Sequence, residues 1–394
     1  MLRLARRFLI LALMAWMANA AAAGSPERLQ EFDQQFREAL QEQGIPGGAY
    51  AIVRQGQIEK IGTHGVRRAG SQAPITPTTV FRTASVSKTF AAQLTALVVA
   101  DGQLDWNDPV VRFVPELRMQ SPGHAEQLQL HHLLSQTTGV VPNAFDNLLN
   151  ANTPLDRIVP HFASVQPLCS PGACYTYQNV LFALVAPAIE QGTGSRFEDL
   201  LRERLLEPLG MQQASVGREA FLAEADRATP HVRRARGRVW TPVEVTESYY
   251  LVPAAAGVNA SVLDLAQWLV AQKGYRPDVL SNGMSEQLTE KRVRTVRELR
   301  RGAWGALSSD AHYGLGWRIF TVDQEPIFMH NGWVRGFVAH ISYSRNHQVG
   351  LVVMLNGESR AVGEISADFW RDQLAQPYPQ LIAGGASDGI ELSR

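Results

Sequence analysis

The order of strand-like and helical segments is the feature that most limits the fold of this chain. Near its start, GGAYAIVRQGQIEKIG predicts two short strands joined at Gln55-Gly56. Four strand-like segments come much later: HYGLGWRIF, EPIFMHNG, GFVAHISYSRN and HQVGLVVMLN. Residues 85–209 between them have a mostly helical pattern. We therefore predict an α/β (α+β) fold, with one antiparallel sheet built from both chain ends, flanked by helices, and an inserted, mostly helical subdomain.

The first residues have the pattern of an export signal. Arginines precede the apolar run from Phe8 to Met17, and Ala18-Asn19-Ala20 fits a small-residue cleavage site. The alternative is an uncleaved membrane anchor, but the run is shorter than the ~20 residues that a membrane span needs. We expect a cleaved signal peptide at residues 1–23, a periplasmic or secreted product, and no stable membrane anchor.

The rest of the chain predicts one catalytic domain, residues 24–394. Its sheet-containing part comprises residues 24–84 and 210–375, its helical part residues 85–209, and its weakly ordered tail residues 376–394. Because 37 basic residues balance 37 acidic ones, and no basic run carries interleaved aromatics, we exclude nucleic acid as a partner. For the arginine-rich KRVRTVRELRRG, polyanion binding stays an alternative to a solvated helix or loop.

The two cysteines, Cys169 and Cys174, lie on either side of a Pro-Gly turn. In an exported protein this spacing favours a small disulfide loop. A two-thiol metal site is the competing interpretation, although no histidine lies beside the pair.

The segment RTASVSKTF carries the strongest chemical signal. It contains one of only four lysines, the others being Lys60, Lys273 and Lys291. Ser85 and Lys88 are three residues apart where an apolar helix begins, so the amine can reach the hydroxyl. Burial lowers the pKa of a lysine and lets it accept a proton, which suits a lysine-activated serine nucleophile. A serine helix cap beside a solvated lysine is the alternative.

Two further segments carry polar groups suited to such a site. Tyr177 and Asn179 precede an apolar helical run; a tyrosine near an ammonium can shuttle a proton, and an amide can bind a substrate amide. They can equally cap that helix. His330-Asn331-Gly332 ends a strand, where a glycine lets a substrate lie against the backbone, and the following Trp333 N–H can serve as an oxyanion donor.

These motifs, in this order, resemble the serine β-lactamase and penicillin-binding protein superfamily, in particular class C β-lactamases and their D,D-peptidase and esterase relatives. The resemblance covers nearly all of the chain after the signal. It includes DGQLDWNDPVVRFVPEL, LQLHHLLSQTTGV, SPGACYTYQNVLFALV, GVNASVLDLAQWLV, YGLGW and HNGWVRGFVAHISY.

The resemblance implies a role for each matching position. Ser85 attacks the substrate carbonyl, Lys88 and Tyr177 manage its proton, and Asn179 orients the substrate amide. The N–H groups of Ser85 and Trp333 form the oxyanion hole. His330 stands where a lysine or histidine contacts the substrate carboxylate and supports Tyr177.

The third motif departs from the Lys-Thr-Gly that is usual in class C β-lactamases. A histidine is only partly charged near neutral pH, so we expect His330 to bind a carboxylate more tightly at mildly acidic pH. Asn331 removes a hydroxyl that often contacts that carboxylate. Arg335 is a candidate replacement cation, although a surface arginine is the alternative. Gln136 stands where many relatives have histidine, and we interpret it as a packing variant.

The function predicted from these motifs is that of an exported serine hydrolase, a class C-like β-lactamase that opens β-lactam antibiotics through an acyl-enzyme on Ser85. The same site can act as a D-Ala-D-Ala carboxypeptidase, a D-aminopeptidase or a small-ester esterase. A non-catalytic penicillin-binding sensor is the alternative of another class. We expect a monomer with a small-molecule or peptide substrate and no cofactor. No metal is expected, since the histidines form no ligand motif.

Overall fold

The computed structural model describes residues 25–233 and 239–375. The predicted signal peptide (1–23) and tail (376–394) lie outside the described residues. The strands are β1 Gly47–Arg54, β2 Gln57–Gly65, β3 Phe81–Arg82, β4 Ser215–Val216, β5 His231–Arg233, β6 Trp240–Pro242, β7 Val258–Ala260, β8 Val293–Arg294, β9 Asp310–Tyr313, β10 Arg318–Val322, β11 Glu325–Val334, β12 Phe337–Ser344 and β13 Val349–Leu355.

The α-helices are Pro26–Gln43, Ser87–Ala100, Val110–Phe113, His124–Gln127, Leu130–Leu134, Asp146–Asn150, Leu155–Ile158, Val180–Ala183, Val185–Thr193, Phe197–Leu201, Arg218–Ala223, Pro253–Ala256, Val262–Val270, Asn282–Leu288, Gly302–Leu307 and Ala361–Leu374. Short segments of 3₁₀ or π helix occupy Ala84–Val86, Val159–Ser164, Arg202–Leu206, Ser248–Leu251, Ala271–Tyr275 and Glu298–Arg300.

One eight-stranded antiparallel sheet organises the molecule, in the order β2-β1-β13-β12-β11-β10-β9-β8. Strand β1 pairs with β13 from Gly48↔Leu355 to Arg54↔Val349. Both strands are buried on both faces along almost their whole length, which is why each has a nearly continuous apolar sequence. The prediction of an antiparallel sheet built from both chain ends and flanked by helices is confirmed.

The segment HYGLGWRIF, predicted as one strand, forms parts of two. Strands β9 and β10 pair with each other, and Gly314–Trp317 turns between them. Gly316 in this turn has φ of +73°, and a Cβ there would lie 2.6 Å from the Lys88 carbonyl oxygen. The turn therefore needs a glycine to pack against the helix that carries Lys88.

Two apolar layers cover the two faces of the sheet. On one face, the rings of Phe32 and Phe36 lie 4.9 and 5.0 Å from that of Tyr50, and the terminal helix Ala361–Leu374 packs beside them. On the other face, Trp268 stacks at 4.1 Å on Phe90. The second layer joins the sheet to the helix Ser87–Ala100 and the helical part of the chain.

The helix Ser87–Ala100 is buried at every position from Ser87 to Val98. A helix that is buried all round lies inside the core rather than on its surface. Lys88 is therefore enclosed in the protein, not extended into solvent.

Two other segments bear on the sequence predictions. The stretch KRVRTVRELRRG forms edge strand β8 and a 3₁₀ turn, with Arg294 paired to Asp310 at 2.9 Å.

Along residues 25–233 and 239–375, every helix falls short of the length and apolar character needed to cross a bilayer.

Candidate active site

The turn that carries Ser85 is fixed at both ends by strand β7. Thr83 donates from its hydroxyl (2.8 Å) and its N–H (3.1 Å) to the Val258 carbonyl, and the Val258 N–H donates to the Ser87 hydroxyl at 3.0 Å. Between these anchors, Ala84 has a φ of +50°, a strained value for a residue with a Cβ. Backbone strain of this kind is concentrated at functional sites, where the surrounding structure holds it in place.

Ser85 is accessible although its surroundings are not. In the run from Phe81 to Val98, Ser85 is partly exposed and every other residue is buried. The hydroxyl can therefore meet a substrate from solvent, while the groups that act on it are shielded from water.

Lys88 is completely buried, and its amine is surrounded by hydrogen-bonding groups. Its Nζ lies 3.2 Å from Ser85 Oγ, 2.8 Å from Asn179 Oδ1 and 3.0 Å from the Ala255 carbonyl oxygen. The two latter atoms can only accept, so they take two N–H groups of the amine. If Lys88 is neutral, its lone pair faces the Ser85 hydroxyl, which is the arrangement that a general base needs.

Burial lowers the pKa of Lys88, and the charge of Arg318 lowers it further. The neighbouring Tyr177 and Asp146 act in the opposite direction, because negative charge near an ammonium stabilises it. Since the largest of these effects is the loss of hydration, Lys88 gives up its proton more readily than a solvated lysine does.

Tyr177 stands between two cationic side chains. Lys88 Nζ lies 4.9 Å from the centre of its ring, and the Arg318 guanidinium lies 5.4 Å from it. Arg318 also pairs with Glu298 at 3.1 Å, and the carboxylate and nearby tyrosines raise its pKa. A permanent positive charge therefore faces the tyrosine that is predicted to move a proton.

The backbone between Tyr177 and Asn179 is held by Gln136. The Gln136 side chain accepts from the Gln178 N–H at 2.5 Å and donates to the Gln178 carbonyl at 3.1 Å. Gln136 is buried and has a φ of +59°. The interpretation of Gln136 as a packing variant is therefore too weak, because its amide pairs with both backbone groups of the motif's central residue.

Asn179 is engaged at both ends of its amide. Its oxygen accepts from Lys88, and its Nδ2 donates to Asp146 Oδ2 at 2.8 Å. A substrate amide can therefore contact Asn179 only through its second Nδ2 hydrogen or its second Oδ1 lone pair, which these two hydrogen bonds leave unused. The structure shows Asn179 as a link from Lys88 to a carboxylate.

His330 differs from its expected charge. It is fully buried, its Nδ1 lies 2.9 Å from the Asn331 carbonyl oxygen, and its Nε2 lies 3.0 Å from the Tyr313 hydroxyl. The carbonyl can only accept, so Nδ1 carries the proton and Nε2 accepts from Tyr313. Burial and the charges of Arg318 and Lys88 hold its pKa well below the usual range. These surroundings favour the neutral imidazole, whereas the sequence led us to expect a histidine that charges at mildly acidic pH.

The other residues of the third motif lie around this strand. A Cβ on Gly332 would lie 1.9 Å from the Thr83 carbonyl oxygen, so the strand passes directly against the turn that carries Ser85. Asn331 points to the opposite face from His330, and its Oδ1 is 2.6 Å from Nδ1 of His340. Gly332 therefore makes room for the backbone at Thr83, and the side-chain oxygen of Asn331 is hydrogen-bonded to His340.

Trp333 and Arg335 lie farther along the same hairpin. Trp333 is 47% exposed, and its Nε1 donates to Glu358 at 2.6 Å. Arg335 is exposed in the turn between β11 and β12. Strand β10 pairs with β11 only as far as Met329, so the edge of β11 from His330 onward faces the turn Ala84–Val86 rather than another strand. The oxyanion role of the Trp333 N–H stays a prediction.

Cys169 and Cys174 are joined by a disulfide bond. The bridge lies beside the segment Gln136–Gly139, since the Leu168 N–H donates to the Gly139 carbonyl and the Gly172 N–H to the Thr137 carbonyl. It thus stabilises the loop that leads into Tyr177. Among the residues with described structure, no three histidine, cysteine, aspartate or glutamate side chains are grouped so as to hold a metal ion.

Sequence reasoning missed Arg318 and Asp146 and understated Gln136. Arg318 directly follows YGLGW, and Asp146 lies seven positions beyond the TTG of LLSQTTGV. The position of Gln136, where relatives have histidine, was a usable signal. Nothing local in the sequence marks the other two, because tertiary contacts create their roles.

Comparison with known proteins gives one family. A family model described as Beta-lactamase matches residues 32–376. Protein flp of Staphylococcus aureus (strain MRSA252) is 24% identical over 345 residues, which are 85% of this chain but only 64% of the length of flp. Penicillin-binding protein 4 of Amycolatopsis lactamdurans is 24% identical over 331 residues, 83% of this chain and 84% of that protein.

A solved structure, the octameric penicillin-binding protein homologue from Pyrococcus abyssi, is similar in fold. The TM-score is 0.79 at 22% identity, and the match covers 91% of this chain and 79% of the homologue. That likeness concerns the arrangement of sheet and helices described above.

Proposed function

The chain belongs to the β-lactamase family of serine hydrolases, and we propose that it opens β-lactam rings through an acyl-enzyme on Ser85. The observation that carries this proposal is the 3.2 Å contact between Ser85 Oγ, which solvent can reach, and Nζ of Lys88, which is fully buried. An accessible serine hydroxyl becomes an activated nucleophile when the lone pair of a buried amine faces it.

The proposed reaction has two halves. Lys88 accepts the Ser85 proton while Oγ bonds to the lactam carbonyl carbon. The ring C–N bond then breaks, and the nitrogen receives that proton by way of the Tyr177 hydroxyl. Water adds to the resulting ester, the carbonyl–Oγ bond breaks, Oγ regains a proton, and a carboxylic acid leaves.

A second candidate is the hydrolysis of small esters by the same steps. The state of His330 favours this candidate, because both ring nitrogens are hydrogen-bonded within the protein and the neutral form of the ring is favoured. A neutral His330 offers no positive charge to the carboxylate that β-lactams and D-Ala-D-Ala peptides carry. An ester without a carboxylate does not need that cation. The D-Ala-D-Ala carboxypeptidase and D-aminopeptidase alternatives require carboxylate or amine recognition, for which exposed Arg335 is the candidate cation in the hairpin after His330.

One substrate panel separates these functions. Purified protein is assayed with a penicillin, a cephalosporin, a D-Ala-D-Ala peptide and a p-nitrophenyl ester, and Ser85→Ala is the control. Turnover of a β-lactam supports the first candidate, and turnover of the ester alone supports the second. A labelled penicillin that binds without any turnover supports a sensor, and turnover that survives in Ser85→Ala refutes the mechanism.

Export and a monomeric state complete the proposal. The charged and apolar pattern of residues 1–23 supports export, which amino-terminal sequencing of the mature protein tests. Light scattering that gives a multiple of the chain mass would contradict the monomer.

A further inference from the structure

Asp146 is a partly buried aspartate at the far end of the Lys88 network. It begins the helix Asp146–Asn150, and its Oδ2 accepts from Asn179 Nδ2 at 2.8 Å and from the Tyr249 hydroxyl at 3.2 Å. Its Oδ1 is buried and has no hydrogen-bond partner among the described residues. Burial raises the pKa of this carboxyl, so keeping it there charged costs free energy.

The backbone that delivers Asp146 is also strained. Asn143 and Phe145 have φ values of +57° and +64°, and an aromatic residue rarely adopts this conformation. The loop is anchored to the motif, since the Asn143 N–H donates to the Tyr177 carbonyl at 2.8 Å. Holding a strained loop beside Tyr177, with a partly buried carboxylate at its end, costs free energy, which points to a functional purpose.

The orientation of the Asn179 amide follows from this carboxylate. An ionised carboxylate can only accept hydrogen bonds, so the amide must turn its Nδ2 toward Asp146. Its oxygen then faces Lys88 and takes one N–H of the amine. This leaves the lone pair of a neutral Lys88 for the Ser85 hydroxyl.

We propose that Asp146 is a positioning residue for the acylation of Ser85, which fixes the Asn179 amide and stabilises the Lys88 ammonium that forms when Lys88 takes the serine proton. The inference rests on the proposed function for its catalytic consequence. Asp146 does not touch the reacting atoms. Its negative charge is separated from Lys88 by one amide group and two hydrogen bonds of 2.8 Å.

The charge of Asp146 makes a specific prediction about the pKa of Lys88. At this separation an opposite charge stabilises the ammonium form and so raises the pKa of an amine. Removing it should therefore lower the pKa of Lys88. The other titratable or charged groups that act on this network are Tyr177, Tyr249, Arg318 and His330.

Two substitutions separate charge from orientation. Asp146→Asn keeps a carbonyl oxygen that can accept from Asn179 but has no charge. Asp146→Leu removes both the charge and the acceptor. The control is Asp264→Asn, since burial raises the pKa of Asp264 as it does that of Asp146, but Asp264 caps the helix Val262–Val270 instead of serving the site.

The first measurement needs no turnover. The chain has four lysines, so ¹³Cε-labelled lysine gives few NMR signals, and Lys88→Arg identifies the signal of Lys88. We expect the Lys88 titration to move to lower pH in Asp146→Asn and to stay in place in Asp264→Asn. An unchanged Lys88 titration in Asp146→Asn overturns the inference, whether or not the protein hydrolyses any substrate.

The second measurement is the rate of acylation by a fluorescent penicillin or a p-nitrophenyl ester as a function of pH. In Asp146→Asn the acidic limb should move to lower pH by about the same amount. Asp146→Leu should lose about 10²-fold in rate while it remains folded by thermal denaturation. A Leu variant that acylates at the wild-type rate also overturns the inference, whereas a wild-type protein that no probe acylates refutes the proposed function instead.

Discussion

Replacing Gly332 with alanine should disable the site while leaving most of the fold intact. A Cβ at this position would lie 1.9 Å from the Thr83 carbonyl oxygen and 3.2 Å from the Ala84 Cβ. Ordinary contact begins at 3.4 Å, so strand β11 and the Ser85 turn must move apart by about 1.5 Å. The turn is fastened to Val258 by three hydrogen bonds, so the movement is resisted on that side.

The expected loss of stability is small, and the expected loss of activity is large. Overpacking costs about 1–3 kcal/mol of stability, and removing a glycine from a strand returns about 0.5–1 kcal/mol, so the net loss is at most about 2.5 kcal/mol. A displacement of ~1 Å between a nucleophile and the groups that bind its substrate costs about 10²-fold in rate. Activity should therefore fall far more than stability.

The assay is kcat/KM for the best substrate of the panel, together with the free energy of unfolding in urea. The matched control is Gly363→Ala, in the helix Ala361–Leu374, where an added Cβ meets no atom within 4 Å. We expect the control to retain full activity and to gain about 0.5–1 kcal/mol of stability. A folded Gly332→Ala protein whose kcat/KM stays within about threefold of wild type would refute the close approach of β11 to the turn.

Four other outcomes are expected. Arg318→Gln removes a cation that lowers the pKa of Lys88, so the acidic limb of kcat/KM against pH should move upward; a downward shift would contradict this sign. Gln136→Ala leaves two buried backbone groups unpaired, at a cost of about 1–3 kcal/mol in urea denaturation, and kcat should fall as Tyr177 loses its support. Cys169→Ser opens a short loop and should lower the free energy of unfolding by about 2 kcal/mol, measured the same way. Because His330 is neutral, KM for a carboxylate-bearing substrate should be flat from about pH 5.5 to 8, and a KM that falls at acidic pH would show that His330 charges.

The sequence predicted the elements that depend on local pattern. The β1–β2 hairpin turns at Gln55-Gly56, where the sequence predicts its turn. The proximity of Ser85 and Lys88 was also predictable, because three residues span less than one helical turn. What failed was the single strand in HYGLGWRIF, since the turn at Gly316 is imposed by the helix that packs against it.

The charges of the site were not predictable from the sequence. His330 is neutral because it is buried near two cations, and those cations come from segments far away in the chain. Asp146 reaches Asn179 across 33 positions, and Gln136 reaches Gln178 across 42. A sequence motif gives the type of each side chain, whereas the protonation and the hydrogen-bond partners of that side chain depend on the tertiary structure around it.

The pairing of β1 with β13 also governs how the chain can fold. The partners in this ladder are about 300 positions apart. The entropic cost of closing so long a loop is about 5 kcal/mol, and it must be met before the ladder forms. During synthesis the β1–β2 hairpin therefore waits with an open edge until nearly the whole chain has emerged. High contact order of this kind makes folding slow. While the chain folds, the unpaired edge of this hairpin can therefore pair with other chains and aggregate.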